Sequence, residues 1–214
     1  MSGLRLTVAL CLGFIAVVVG LFVYSVTRTP LVSEEALREQ GVVLLPRPRE
    51  LEPFSLTTHT GEPFTLDDLR GRWTFVFFGF THCPDICPTT MSELGKARRR
   101  LQEDDAFQGV LVTVDPERDT PELLAEYVTA FAPDFLGVYG SREAIAQLAT
   151  QVNATFAKVP AMGADGRPDP STYLVDHSAN VVIINPYGHY HGFIKYPQQA
   201  DTIAAAFQTL SAHF

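Results

Sequence analysis

The sequence predicts an α/β domain, and three observations carry that prediction. Residues 73–80, WTFVFFGF, form a nearly continuous run of apolar, β-prone side chains, the pattern of a strand buried on both faces. From there strand-like runs alternate with amphipathic helical segments, the rhythm of a sheet covered by helices. The chain closes on two further strand patterns, NVVIINP and YHGFIKY, and a helical stretch from Gln199 to His213. A length of 214 residues, 46% of them hydrophobic, suits one anchored domain with one core, and no internal repeat divides it.

The elements follow in order. From Leu6 to Thr27 there is no charged side chain, enough helix to cross a hydrocarbon core of about 30 Å. A cleaved signal peptide would have a shorter apolar region ending in small residues, which SVTRTP does not supply. Cys11 follows Leu10 rather than a small residue, which disfavours a lipoprotein, and the segment is neither Arg-rich nor amphipathic, which disfavours a transit peptide. Arg5 and the amino terminus on one flank, against Arg28 with Glu34 and Glu35 on the other, orient the N-terminus inside and the domain outside. The expected organisation is a membrane anchor over 1–28, a linker over 29–52 and the α/β domain over 53–214, in a bacterial inner membrane with the domain facing the periplasm.

Within the expected linker, TPLVSEEALREQG reads as a short helix ended by Gly41, and LLPRPRELEP as a Pro-punctuated connector. FSLTTHTGEPFTL is a hairpin pattern around Thr60-Gly61, and LDDLRG a helical turn. The strand at 73–80 then delivers the chain to FTHCPDICPTT. Pro88 lacks an amide hydrogen, so a helix begins near Ile86 to Pro88 and runs to about Glu103. QGVLVTVD is a second buried strand. TPELLAEYVTAFA is a helix capped by Thr120 with Pro121 at its first position; FLGVYG is a strand and SREAIAQLATQV a helix. KVPAMGADGRPDPSTY reads as a long Gly/Pro-rich loop, followed by a short strand, YLV.

The formal charge is -8, with 16 basic against 24 acidic residues. Phosphate neutralisation needs clustered Lys and Arg, so nucleic acid is not an expected partner. Lys96, Arg98, Arg99 and Arg100 read as a solvated helix face.

Of three cysteines, Cys11 lies in the apolar segment and behaves as a small hydrophobe. Cys83 and Cys87 remain, each followed by a proline, after a buried strand, in a compartment where thiols oxidise. Three chemistries stay open: a disulfide, a soft-metal site of two thiolates, or inert buried thiols. Cys87, at a helix N-terminus, is the cysteine expected to be acidified by unpaired backbone amides. The spacing C-P-D-I-C is one residue wider than the redox motif C-x-x-C, and suits two sulfurs converging on one ion. A peroxidase-type site would need Thr or Ser three positions before a reactive cysteine, where Phe80 and Pro84 stand. A metal would take a third ligand from elsewhere. His177, in YLVDHSAN, lies on a connection able to face the cysteine loop. His82 is expected to point away from Cys83. His189 and His191 share a face at period 2 and form a candidate metal pair, though solvated edge positions are the preferred reading for both. His59 reads as a turn residue, His213 as chain end, and Met91 as core. Met162 offers a thioether. Asp115 and Asp119, after the second buried strand, are candidates for orienting a ligand, as is Asp176 beside His177; a cap or solvated turn is the competing role for Asp119.

The runs GFTHCPDICP, VDPERDTP and YLVDHS, in that order, resemble the Sco/SenC family of copper chaperones for cytochrome c oxidase, over about Pro53 to Leu210. The resemblance implies a thioredoxin-like fold and copper held by Cys83, Cys87 and His177, as copper(I) and also copper(II). It implies delivery to the copper-bearing subunit of the oxidase, a periplasmic copper donor, and a thiol reductant to keep the pair loadable. It implies a metallochaperone rather than an enzyme, with thiol-disulfide oxidoreductase activity left open. A thiol-disulfide reductase acting on the oxidase cysteines, or a redox sensor, is the competing function, with Cys83 and Cys87 as its redox-active pair. A structural zinc site ranks third, for want of a fourth ligand. After the histidine the chain departs from the family's aromatic and Pro-Asp-Gly turn, carrying SANVVIINPYG instead.

Overall fold

The structure, a computed structural model, describes residues 2–27, 32–102, 104–162 and 168–214. It divides into two compact units, Met1–Leu31 and Val32–Phe214.

The first unit holds helix α1, Ser2–Thr27, with large apolar side chains such as Leu10, Phe14 and Phe22 exposed around it. Its side chains are described without interruption over residues 7–22, about 24 Å of helix at 1.5 Å per residue. Among the described residues no helix is long and apolar enough to cross a membrane.

The second unit opens with α2, Glu34–Glu39, whose N-cap Ser33 accepts a hydrogen bond from the Ala36 amide. Gly41 follows at φ +90°, a left-handed turn that glycine adopts without a side-chain clash. Next come β1 (Val42–Arg49), β2 (Ser55–Thr58), β3 (Pro63–Thr65), a 3-10 turn at Leu66–Leu69, and β4 (Trp73–Gly79). The chain continues through α3 (Ile86–Arg100), β5 (Phe107–Thr113), α4 (Pro121–Thr129), β6 (Leu136–Tyr139) and α5 (Arg142–Gln151). It ends with β7 (Phe156–Met162), β8 (Pro168–His177), β9 (Val181–Ile184), β10 (Tyr190–Ile194) and α6 (Ala200–Ala212).

Eight strands form one mixed sheet in the order β1-β10-β9-β4-β5-β6-β2-β3. β4, β5 and β6 run parallel, and β9 pairs antiparallel to β4 on its other side. β4 is buried at every position, as its uninterrupted apolar run requires of a strand covered on both faces. Helices α3 and α6 pack against each other, while α4 lies on β6 and α5 on β2. At Gly137 a β-carbon would stand 3.0 Å from Leu124 Cβ, so the bare backbone lets α4 sit close to the sheet. The α/β class and its flanking helices are therefore as the sequence predicts.

Three expectations change. Within the expected linker at 29–52 the short helix is α2, as predicted, but the Pro-punctuated connector is β1, the edge strand on β10. Pro46 and Pro48 disguised it as a connector; an edge strand tolerates proline because half its backbone has no ladder partner. The expected Gly/Pro loop is a β7–β8 hairpin forming its own two-stranded sheet, around residues 163–167, which lie outside those described. Helix α3 ends at Arg100, and Glu103 lies outside the described residues.

Candidate metal centre

Parallel strands β4 and β5 end side by side, and the segments leaving their carboxyl ends build the site. This is where open α/β sheets place ligands, since the loops there diverge around a crevice. β4 leads into Phe80-Thr81-His82-Cys83, and α3 starts at Ile86, placing Cys87 in its first turn. β8 carries His177 at its last position.

Cys83 Sγ, Cys87 Sγ and one nitrogen of His177 lie within 4.8 Å of one another. His177 Nε2 is 3.4 Å from Cys87 Sγ. The Cys87 amide donates to Cys83 Sγ at 3.4 Å, so the outer cysteine receives a helix N-terminal N–H. His177 Nδ1 donates to the Ser178 carbonyl at 3.1 Å, which leaves Nε2 with its lone pair toward the sulfurs. The edges of Phe77 and Phe80, each with ring centroid 5.7 Å away, hold the imidazole at large interplanar angles. The face under Cys87 is equally tight. A β-carbon on Gly79 would come within 2.9 Å of Cys87 Sγ and 2.8 Å of the Phe77 ring.

The two free thiols are not equivalent. Cys87 has no exposed surface, whereas Cys83 is half-buried and lines a cavity of about 270 Å³ with His82, Arg118, Tyr173 and His177. A hydrogen bond from the Cys87 thiol, reinforced by the Asp85 and Cys87 amides, outweighs burial and lowers the Cys83 pKa to about 3. Donating that hydrogen bond, together with burial, pushes Cys87 upward. The acidified cysteine is thus Cys83, not Cys87 as expected. The helix-terminal amide that was to acidify Cys87 points instead at the sulfur one turn before it.

The loop after β5 braces both segments. Asp119, buried, accepts hydrogen bonds from the Thr81 amide (3.0 Å), the Thr81 hydroxyl (2.6 Å) and the Thr113 hydroxyl (2.6 Å). It therefore fixes the cysteine loop from behind, while the cap of α4 is Thr120. His82 Nδ1 lies 3.0 Å from Thr81 Oγ1 and 3.5 Å from Asp119 Oδ1, outside the ligand cluster. Asp115, also buried, accepts from Tyr173 Oη at 2.8 Å and from Arg118 Nε. Asp176 is exposed on β8 and lines two clefts beside His177; side chains alternate along a strand, so it sits on the opposite face from the imidazole.

Other candidates fall away. His189 and His191 join no cluster of three or more metal-ligating side chains: Cys83, Cys87 and His177 are the one such cluster among the described residues. The ladder to β9 shifts between Tyr190 and Gly192, a bulge that breaks the period of two at His191. His191 packs edge-on to Trp73 at 5.0 Å and its Nδ1 accepts from Asn185 Nδ2. His59 Nδ1 accepts from the Gly137 amide. Met91 is core, and the Met162 side chain lies outside those described. Sequence reasoning missed Thr81, Arg118 and Tyr173. Arg118 between two aspartates in DPERD was the available signal; Tyr173 had none, because its partner is distant in sequence.

The SCO1/SenC family profile matches residues 44–212. A Stutzerimonas stutzeri protein named for copper binding is 38% identical over 167 residues, covering 77% of this chain and 78% of that protein. The mitochondrial SCO1 homolog of Homo sapiens is 36% identical over 163 residues, 73% of this chain. The match covers 51% of that human protein, about half its length. Arabidopsis thaliana ScoI with copper bound superposes with a TM-score of 0.66 at 33% identity, covering 75% of this chain and 98% of that one. The apo Sco1 protein of Thermus thermophilus gives 0.68 at 34% identity, over 79% and 95%.

Proposed function

The chain belongs to the SCO1/SenC family, and from that premise we propose that it is a copper metallochaperone whose cargo is held by Cys83, Cys87 and His177. The observation that carries this reading is the convergence of two sulfurs and one imidazole nitrogen within 4.8 Å. Metal–sulfur bonds of about 2.3 Å and metal–nitrogen bonds of about 2.0–2.1 Å bridge atoms up to about 4.6 Å apart, so small adjustments close the site. The donor set selects the metal. Soft thiolates favour copper(I), and an imidazole beside them also tolerates copper(II). Two thiolates and a neutral imidazole leave one net negative charge on a copper(I) site, and the cavity beside Cys83 opens it to a receiving protein.

The client in this reading is the copper-bearing subunit of cytochrome c oxidase, with a periplasmic donor supplying copper and a thiol reductant keeping the cysteines loadable. The domain would stand in the periplasm on a single N-terminal anchor in a bacterial inner membrane. Support for the anchor is the charge-free run from Leu6 to Thr27 and the apolar surface around α1, since a helix apolar on all sides needs lipid or a core around it. Protease digestion of spheroplasts tests it: the domain should be degraded, and its survival would refute this orientation.

One observation favours a second reading, thiol-disulfide exchange. An accessible, acidified Cys83 backed by buried Cys87 suits attack on a partner disulfide. Cys83 would form the mixed disulfide, Cys87 would resolve it, and the partner would leave as a dithiol while this pair is oxidised.

Anaerobic titration of the reduced full chain in detergent with copper(I), against a competing chelator, tests the main reading. One copper should bind per chain, and His177→Ala should weaken binding by about 100-fold or more, beyond the effect of losing an outer hydrogen bond. Equal retention by both proteins, or by neither, would overturn it. Disulfide reduction that survives His177→Ala intact would favour the second reading.

A further inference from the structure

His177 does not belong to the main sheet. It sits at the end of a two-stranded hairpin, β7–β8, whose placement decides whether the third ligand meets the cysteines. Alternation along β8 puts Tyr173, Val175 and His177 on one face. Val175 is buried, while Leu174 and Asp176 on the other face are exposed. The inward face is therefore held at two ends about 13 Å apart, at about 3.3 Å per residue. One end is His177 at the sulfurs. The other is Tyr173, whose hydroxyl donates to the buried carboxylate of Asp115 at 2.8 Å.

Around Tyr173 the loop after β5 closes a grip. The Arg118 guanidinium binds Asp115 and lies 4.2 Å from the Tyr173 ring centroid and 5.7 Å from that of Phe80. Phe80 itself meets the His177 ring. Lys158, on β7, covers Tyr173 at 4.1 Å and pairs with Glu117 at 2.5 Å. Both strands of the hairpin are thus fastened to residues 115–118, while Asp119 in the same loop fastens Thr81 and with it the cysteine loop.

We propose that Tyr173 and Arg118, locked on Asp115, are positioning residues that set His177 over Cys83 and Cys87. This rests on the metal-centre reading above and extends it: the segment VDPERD is the part that holds the two ligand-bearing segments in register. A grip of this kind preorganises the imidazole, so its loss lowers affinity only through His177.

Tyr173→Phe tests it, since the ring and its packing remain and only the hydroxyl is lost. In the copper-free full chain, amide hydrogen exchange at Leu174 to His177 should quicken by about 10-fold or more, with Val181 to Ile184 unchanged. Copper(I) affinity should fall by about 10-fold in the wild-type background. In the His177→Ala background the same substitution should change affinity less than about 2-fold, because coupled residues lose their effect together. Arg118→Lys should restore more affinity than Arg118→Met. Unchanged exchange at β8, or equal loss with and without His177, overturns the proposal. If no variant nor the wild type binds copper, the metal-centre reading fails by itself, and exchange at β8 still decides whether the grip exists.

Discussion

His177 Nε2 lies 3.4 Å from Cys87 Sγ across 90 residues of sequence, and neighbours on both sides hold that approach. The Ser178 carbonyl fixes the ring's tautomer. Gly79 leaves room for the sulfur. Cys83, by contrast, faces the cavity, so the site has one fixed wall and one open sulfur. The consequences are measurable residue by residue.

Cys83 should be the reactive thiol. With its pKa lowered to about 3 by the Cys87 hydrogen bond, it remains thiolate down to about pH 5, where an ordinary thiol has lost nearly all of its nucleophile. Iodoacetamide labelling followed by peptide mapping should show Cys83 alkylated first. Its rate should change less than about 10-fold between about pH 8 and about pH 5, against about 1000-fold for an unperturbed thiol. Preferential labelling of Cys87 would contradict the assignment.

Gly79→Ala should damage the site from beneath. The new β-carbon meets Cys87 Sγ, the Phe77 ring and Leu111 Cδ1 at 2.9, 2.8 and 3.1 Å. Overpacking of this kind costs about 1–3 kcal/mol, and the sulfur is the neighbour that can turn away. Copper(I) affinity should fall by more than the stability loss accounts for, as read by chelator competition beside urea denaturation. Wild-type affinity in a destabilised variant would show that Cys87 stays in place.

Asp119→Ala should loosen the cysteine loop. Thr81 and Thr113 lose a buried charged acceptor of three hydrogen bonds, each worth about 1.5–3 kcal/mol. At the lower figure the loss is about 4.5 kcal/mol, which lowers the melting temperature by about 9–18 °C. Asp119→Asn, which retains one acceptor oxygen, should lose about half as much. Calorimetry on the copper-free protein checks both, and an unchanged melting temperature for Asp119→Ala would refute the bracing role.

Much of this site was legible because its signals are local. The apolar run of β4, Pro88 limiting the start of α3, and the Thr120-Pro121 cap each act within a few residues. What could not be read depends on tertiary context. Pro160 and Pro168 made β7 and β8 look like loop, yet an isolated two-stranded sheet has only edges, where proline is tolerated. Which cysteine is acidified turned on which sulfur is buried and where the Cys87 amide points, neither of which spacing encodes. The roles of Asp115 and Asp119 depended on Tyr173, Thr81 and Thr113, partners on other elements that no local pattern connects.

His191 should make the fold weaken in mild acid, away from the metal centre. Burial against Trp73 holds its pKa below the ordinary 6.5, and Glu34 opposes this only in part. The neutral ring is the form that fits, because Nδ1 accepts from Asn185 Nδ2 at 3.3 Å, and a proton there would face another donor. A histidine whose folded pKa is lowered binds fewer protons folded than unfolded, so stability rises with pH in that range. Its contribution is complete above about 6.5 and is lost progressively as pH falls from there toward the folded value. Urea midpoints of the copper-free protein should therefore decline between about pH 7.5 and about pH 5. His191→Gln keeps a side-chain acceptor for Asn185 without a titrating ring, so its midpoint should decline measurably less over the same interval. Parallel curves for the two proteins would show that His191 titrates freely and that its burial carries no linkage.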